Sequence, residues 1–229
     1  MSGYYKEKLS AERLRHVYDV AQPRVRRYLE AEIQFVLDRF SPVALVLELG
    51  CGYGRVLERL AAKTNRVVGI DTSWESLLMA RRTLRSYSTF RLLAMDAAHL
   101  GFCEGCFDLV ACIQNGISAF NVDQERLIRE ALRVARPGGR VLFSSYSEKF
   151  WPERLNWFRI QADHGLLGEI DEEATGNGVI VCKDGFRATT VGPEDFLALA
   201  EKIAVDPKIT EVDQSSIFCE IVKQPFKSV

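Results

Sequence analysis

The sequence predicts a doubly wound α/β domain, and three features carry that expectation. Short apolar runs alternate with amphipathic stretches from Val43 to Tyr146, which is how parallel strands covered on both faces, and the helices covering them, read in sequence. The run Val46-Leu47-Glu48-Leu49 passes straight into Gly50-Cys51-Gly52-Tyr53-Gly54 and then into a helical pattern. After the next apolar run, Thr72-Ser73-Trp74-Glu75 has the form of a reciprocal helix cap. In sheets of this class ligands sit at the carboxyl ends of the strands.

Taken in order, Ser10 to Ala21 places Leu14, Val17, Tyr18 and Ala21 on one side of a helix. Pro23 to Phe40 repeats Val25, Tyr28, Leu29, Ile33, Val36 and Leu37 at helical spacing, and Ser41-Pro42 stops it. Strands are expected at Val43 to Leu49, Val67 to Asp71, Phe90 to Met95, Phe107 to Ile113 and Arg140 to Tyr146. The intervening helices are Arg55 to Lys63, Trp74 to Arg85 and Gln124 to Ala135. Ser147 to Gly192 then breaks the alternation; within it Gly178 to Cys182 and Phe186 to Thr190 flank Asp184-Gly185, a hairpin signal. A helix from Glu194 to Ile203 follows, and Lys208 to Asp213 with Ile217 to Lys223 reads as a closing hairpin. We therefore expect residues 1–229 to form one domain: a helical cap (1–41), a ligand-binding core (43–146), a substrate-cap insertion (147–192), and a C-terminal helix and hairpin (193–229).

Thirty Lys and Arg oppose 31 Asp and Glu, so the formal net charge is -1 and no global field favours a nucleic acid partner. With 47% apolar residues the chain can bury a full core. Its longest uncharged apolar runs, Val43 to Leu47 and Leu109 to Ile113, fall far below the roughly 20 residues of a membrane span. The opening residues lack an apolar leader, so a cytoplasmic location is expected. The six cysteines, spread through a chain of this size, read as free thiols.

The glycine turn narrows the ligand. A dinucleotide fingerprint needs G-x-G-x-x-G, but Arg55 stands where its third glycine belongs and Gly54 makes the spacing G-x-G-x-G. A P-loop needs Gly-Lys-Ser/Thr, and Gly54 is followed by Arg55-Val56. Asp71, ending the strand Val67-Val68-Gly69-Ile70, is placed to accept from both hydroxyls of an unphosphorylated ribose.

Glu48-x-Gly50-x-Gly52-x-Gly54 followed by a strand ending in Asp71 resembles the class I S-adenosylmethionine-dependent methyltransferases, in particular the small-molecule type. The resemblance continues in order through Met95-Asp96-Ala97, Phe107-Asp108-Leu109-Val110 and Arg136-Pro137-Gly138-Gly139-Arg140. It implies a mostly parallel seven-stranded Rossmann-like sheet and S-adenosyl-L-methionine as cofactor, with S-adenosyl-L-homocysteine as product. By position it implies that Glu48, Gly50, Cys51, Gly52 and Gly54 shape the turn around the methionine portion. Asp71 and Thr72 would hold the ribose, and Asp96 with the Ala97 N–H would read the adenine edge. Gln114 and Asn115 would face the reacting groups, with Tyr18 reaching in from the cap.

Other roles compete at several positions. Asp96 also suits a turn, Cys51 a small filler, and Tyr18 the core. Cys103-Glu104-Gly105-Cys106 lacks the further ligands of a zinc site and reads as a turn carrying two thiols. His16, His164 and Tyr146 are the candidates for a catalytic base; His99 reads as solvated. The aromatics from Phe150 to Phe158 either line a pocket or pack the insertion onto the sheet. No Asp/Asn-Pro-Pro-aromatic sequence follows Ile113 and no Pro-Cys pair is present, which argues against DNA-base acceptors and leaves a small-molecule acceptor. A nicotinamide-dependent oxidoreductase and a non-catalytic S-adenosylmethionine-binding module remain the rival readings.

Overall fold

Five parallel strands extended by an antiparallel pair form one sheet in the computed structural model, which describes Tyr4, residues 8–87 and residues 89–225. In chain order the elements are α1 (Ala11–Asp19), α2 (Pro23–Leu37), β1 (Val46–Leu49), α3 (Arg55–Ala61), β2 (Val67–Asp71), α4 (Trp74–Thr83), β3 (Phe90–Ala94), β4 (Phe107–Cys112), α5 (Gly116–Ala119), α6 (Gln124–Val134) and β5 (Ala135–Tyr146). There follow a 3-10 turn (Glu148–Phe150), α7 (Trp151–Asp163), β6 (Ile180–Val181), β7 (Arg187–Ala188), α8 (Pro193–Lys202), β8 (Lys208–Val212) and β9 (Ser216–Val222). The sheet order is β3-β2-β1-β4-β5-β9-β8. From β1 the chain builds outward through β2 and β3, then returns to pair β4 beside β1. The crevice over the carboxyl ends of β1 and β4 is thus the topological switch point, where such sheets bind ligands.

Alternation along the strands sends side chains into two layers. Leu47, Leu49, Val110 and Phe143 pack toward α6 and α8, and Val46, Leu109, Ala111 and Leu142 pack toward α2 and α3. Side chains of this kind, fully buried, each stabilise the fold by roughly 1.5–3 kcal/mol. A third apolar cluster joins α1, α2, α7 and the segment around Cys182 and Phe186. The Arg136-Pro137-Gly138-Gly139 turn has a steric cause: a Cβ on Gly139 would lie 2.8 Å from the Arg136 carbonyl oxygen and 3.0 Å from that of Phe107.

Several expectations need correction. β1 starts at Val46, since Val43 is 74% exposed and outside the ladder, and α2 stops at Leu37 rather than Phe40. β5 starts earlier than expected, at Ala135. The segment after Tyr146 contains a 13-residue helix, α7, that no periodicity announced. Trp157, Phe158, Arg154 and Gln161 are all buried in it, so apolar and polar residues alike face protein and no single apolar stripe remains to be read. The Asp184-Gly185 hairpin is present as the short pair β6–β7. Phe150, Trp157 and Phe158 belong to the third cluster, so they pack the insertion and do not line a pocket.

Candidate active site

The glycine turn is held to its neighbouring strand by the backbone. Gly50 and Cys51 both donate to the Ile70 carbonyl at 2.9 Å, and the Gly52 N–H donates to Asp71 Oδ2 at 2.9 Å. Gly50, Gly52 and Gly54 all have positive φ, at 73°, 51° and 88°, a region that costs an L side chain roughly 1 kcal/mol or more. Space enforces the same choice at two of them. A Cβ on Gly50 would meet the Phe120 ring at 2.4 Å, and one on Gly52 would meet Leu14 Cδ2 at 2.9 Å. Leu14 of α1 and Phe120 after α5 therefore roof the turn. α1 is seated there by the Ala11 N–H, which donates to Ser76 Oγ on α4 at 3.0 Å.

Beneath the roof lies a buried charged layer. Glu48, third residue of β1, is 4% exposed, and its Oε2 has no hydrogen-bond partner. Burial pushes its carboxyl up to about 8, against the pull of the Arg55 guanidinium. Glu32, on the sheet-facing side of α2, is wholly buried, and burial pushes it up to about 7 although the Ser144 hydroxyl and the Gln114 N–H support its anion. Glu32 Oε2 accepts from the Gln114 N–H at 2.8 Å, while Oε1 has no partner. Arg55 opens α3, lies 4.4 Å from the Tyr18 ring centroid, and has Nε and one terminal nitrogen buried without a partner. Gln114 accepts from Tyr18 OH at 3.1 Å and leaves Nε2 unpartnered. The layer thus holds two carboxylates, one guanidinium and one amide, each with an unmatched polar atom; an unpaired buried polar atom typically costs about 1–3 kcal/mol.

The remaining expected residues divide clearly. Asp71 accepts from the Gly52 and Ser73 N–H groups, one on each oxygen, and from the Thr72 backbone; its carboxyl is raised by burial. Each oxygen keeps a lone pair for a further donor. Asp96 is exposed and accepts from the Ala98 N–H at 2.8 Å and faces His99 Nδ1 at 3.0 Å, so it also builds its own turn beside buried Ala97. The Cys51 side chain points into the core against Gly69, and only its backbone belongs to the turn. Gln114 and Asn115 have φ of 58° and 61°. Asn115 is fully engaged: its Oδ1 accepts from Ser145 Oγ at 2.7 Å and its Nδ2 donates to the Thr189 carbonyl at 2.9 Å.

Of the candidate bases, Tyr146 is buried between Tyr28, Phe150 and Arg154, and burial pushes its hydroxyl up to about 12. His16 and His164 are exposed, with ring centroids 5.7 Å apart. Glu32 and Arg55 were missed as site residues. A glutamate flanked by Leu29, Ile33 and Val36 in the apolar stripe of α2 was the readable signal for the first. Among the described residues no group of three or more His, Cys, Asp or Glu is placed to hold a metal, and no helix is long and apolar enough to cross a membrane.

Residues 46–139 match the family model described as a methyltransferase domain. The chain is 28% identical over 176 residues to Methyltransferase GfsG of Streptomyces halstedii, an alignment covering 75% of this chain and 56% of GfsG. Among solved structures, an S-adenosylmethionine-dependent methyltransferase of Methanosarcina mazei aligns with a TM-score of 0.62 at 19% identity, covering 83% of this chain and 97% of that one. The N-methyltransferase NodS of Bradyrhizobium japonicum, in complex with S-adenosyl-L-homocysteine, aligns with a TM-score of 0.58 at 17% identity, with 88% of each chain covered. At such identities the structural likeness concerns the fold. The chain spans about half the length of the curated relatives it matches.

Proposed function

We infer that this chain is a class I S-adenosylmethionine-dependent methyltransferase, a reading supported by the match of residues 46–139 to the methyltransferase-domain model, and that it transfers a methyl group from S-adenosyl-L-methionine to a small-molecule acceptor. The observation that carries the reading is the buried layer of unmatched polar atoms under the glycine turn, on Glu48, Glu32, Arg55 and Gln114. This donor set suits an amino-acid head: the carboxylates complement an ammonium, and the guanidinium and amide complement a carboxylate. It does not suit a pyrophosphate, which two buried carboxylates would repel.

When bound, the donor supplies a methyl group already activated on a sulfonium, so alignment and exclusion of water are the main demands on the protein. Asp71, fixed by the Gly52 and Ser73 amides, would accept from the sugar hydroxyls. Asp96 and Ala97 would border the base. Leu14, Phe120 and Tyr18 would close over the turn and keep it dry. None of the candidate bases is required by this scheme. A small-molecule acceptor agrees with a net charge of -1, and a cytoplasmic location belongs to the same reading.

Titration calorimetry of the purified chain with S-adenosyl-L-homocysteine tests the assignment, with a dissociation constant of about 1 μM to 1 mM expected from usual substrate affinities. A folded sample that gives no heat at millimolar ligand overturns it. Transfer of labelled methyl to a panel of small amines, phenols and acids then identifies the acceptor.

A further inference from the structure

We propose that Cys103 and Cys106 form a redox-active dithiol, which closes to an intramolecular disulfide by reducing a small disulfide of the glutathione type. The inference is independent of the methyltransferase reading. Cys51, Cys112, Cys182 and Cys219 are buried, whereas Cys103 and Cys106 are both exposed, so a dissolved oxidant meets this pair before any other thiol among the described residues. Glu104 and Gly105 make the turn between them, with Gly105 at a φ of 71°. The ends of a four-residue turn lie within about 7 Å of each other, and a disulfide spans Cα separations of about 4.4–6.8 Å.

The turn is held from behind. The Gly105 N–H donates to the Arg133 carbonyl at 3.0 Å, and Lys223 Nζ donates to the same carbonyl at 3.1 Å while facing Glu104 at 3.3 Å. The Arg133 side chain donates to the carbonyls of Phe102 and Leu100 at 2.8 and 2.6 Å, and its charge interacts with Cys103. In its thiolate form either exposed cysteine can open the exchange, here Cys103. Its sulfur bonds to one sulfur of the oxidant, the oxidant's S–S bond breaks, and one small thiolate leaves. Cys106 then attacks the Cys103 sulfur of the mixed disulfide and expels the second thiolate. The two protons lost by the protein thiols end on the two thiols released, and the two electrons of the pair have reduced one disulfide. Closing a ring of only four residues constrains the unfolded chain little, so the bond is readily reversed by excess thiol.

The full-length chain, reduced and freed of reductant, is incubated with glutathione disulfide, alkylated after denaturation and mapped by mass spectrometry. The expected product is one peptide carrying a Cys103–Cys106 bond, two hydrogens lighter, with the other four cysteines alkylated. Cys103→Ser and Cys106→Ser should each retain one glutathione on the remaining thiol. A wild-type chain that accumulates glutathione on these thiols without closing the ring, or leaves both unmodified where a control peptide with a free cysteine reacts fully, overturns the proposal.

Discussion

Two strands of the sheet, β1 and β9, each bury a glutamate in the same cross-strand row, and they treat it oppositely. Glu220 of β9 is 5% exposed and paired with Arg39, just past the end of α2, at 3.0 Å, and with Arg140 of β5. A cavity of about 570 Å³ lies beside it, lined by Arg39, Arg140, Lys208 and Glu220 among others. Glu48 of β1 is equally buried and keeps an oxygen unmatched, as does Glu32. A buried charge whose partners are supplied by the fold is architecture. One left partly unmatched, beside a positive-φ glycine turn at the switch point, is held in readiness for something the fold does not contain.

Substitutions can break this contrast. The largest effect is expected for Asp71→Ala, which deletes both the sugar-accepting carboxylate and the anchor of the Gly52 and Ser73 amides. Calorimetry should show a loss of about 1.5–3 kcal/mol in S-adenosyl-L-homocysteine affinity, and unchanged affinity removes Asp71 from the site. Glu48→Gln should act in two directions at once. Ligand affinity falls about tenfold or more, while denaturant unfolding at pH 8.5 shows the free protein gaining about 1–2 kcal/mol, because a poorly compensated buried charge is gone. Glu220→Gln should do the reverse, losing about 1–2 kcal/mol of stability by stranding two arginines with ligand affinity unmoved. Should Glu48→Gln and Glu220→Gln shift stability in the same direction, the contrast between the two glutamates fails.

Acidity sharpens the comparison without any substitution. Folding raises Glu32 to about 7 and Glu48 to about 8 from an ordinary 4.5. Between those limits the folded chain holds protons that the unfolded chain has released, so stability falls as pH rises from about 4.5 to about 8. From these values a decline of roughly 4 kcal/mol from pH 6 to pH 8.5 is expected in chemical denaturation of the free protein. Saturating S-adenosyl-L-homocysteine should shrink that decline, since its ammonium favours the ionised carboxylates.

Much of this was readable from residue order. The glycine turn, Asp71 and the strand alternation lie on contiguous stretches whose local chemistry repeats their structural role. Glu32 and Arg55 were not recognised because what defines them is company: one helix delivers the carboxylate to the Gln114 amide, and a guanidinium folds beneath Tyr18. α7 escaped because its one buried face carries Arg154 and Gln161 beside Trp157 and Phe158, so no apolar stripe shows in the sequence. Asp96 illustrates a third limit, for its sequence position suits both a base-binding carboxylate and a turn, and the structure shows the turn.

The left-handed pair Gln114–Asn115 has a kinetic corollary. Each such backbone state costs on the order of 1 kcal/mol or more unless its surroundings impose it. The restraints come from far away: Glu32 lies 82 residues before Gln114, and Thr189 lies 74 residues after Asn115. Contacts of such long sequence separation form late on a folding path, after the local helices and neighbouring strands. The crevice over β1 and β4 is consequently among the last parts of the molecule to mature, and refolding monitored at that crevice should lag behind refolding monitored by helix content.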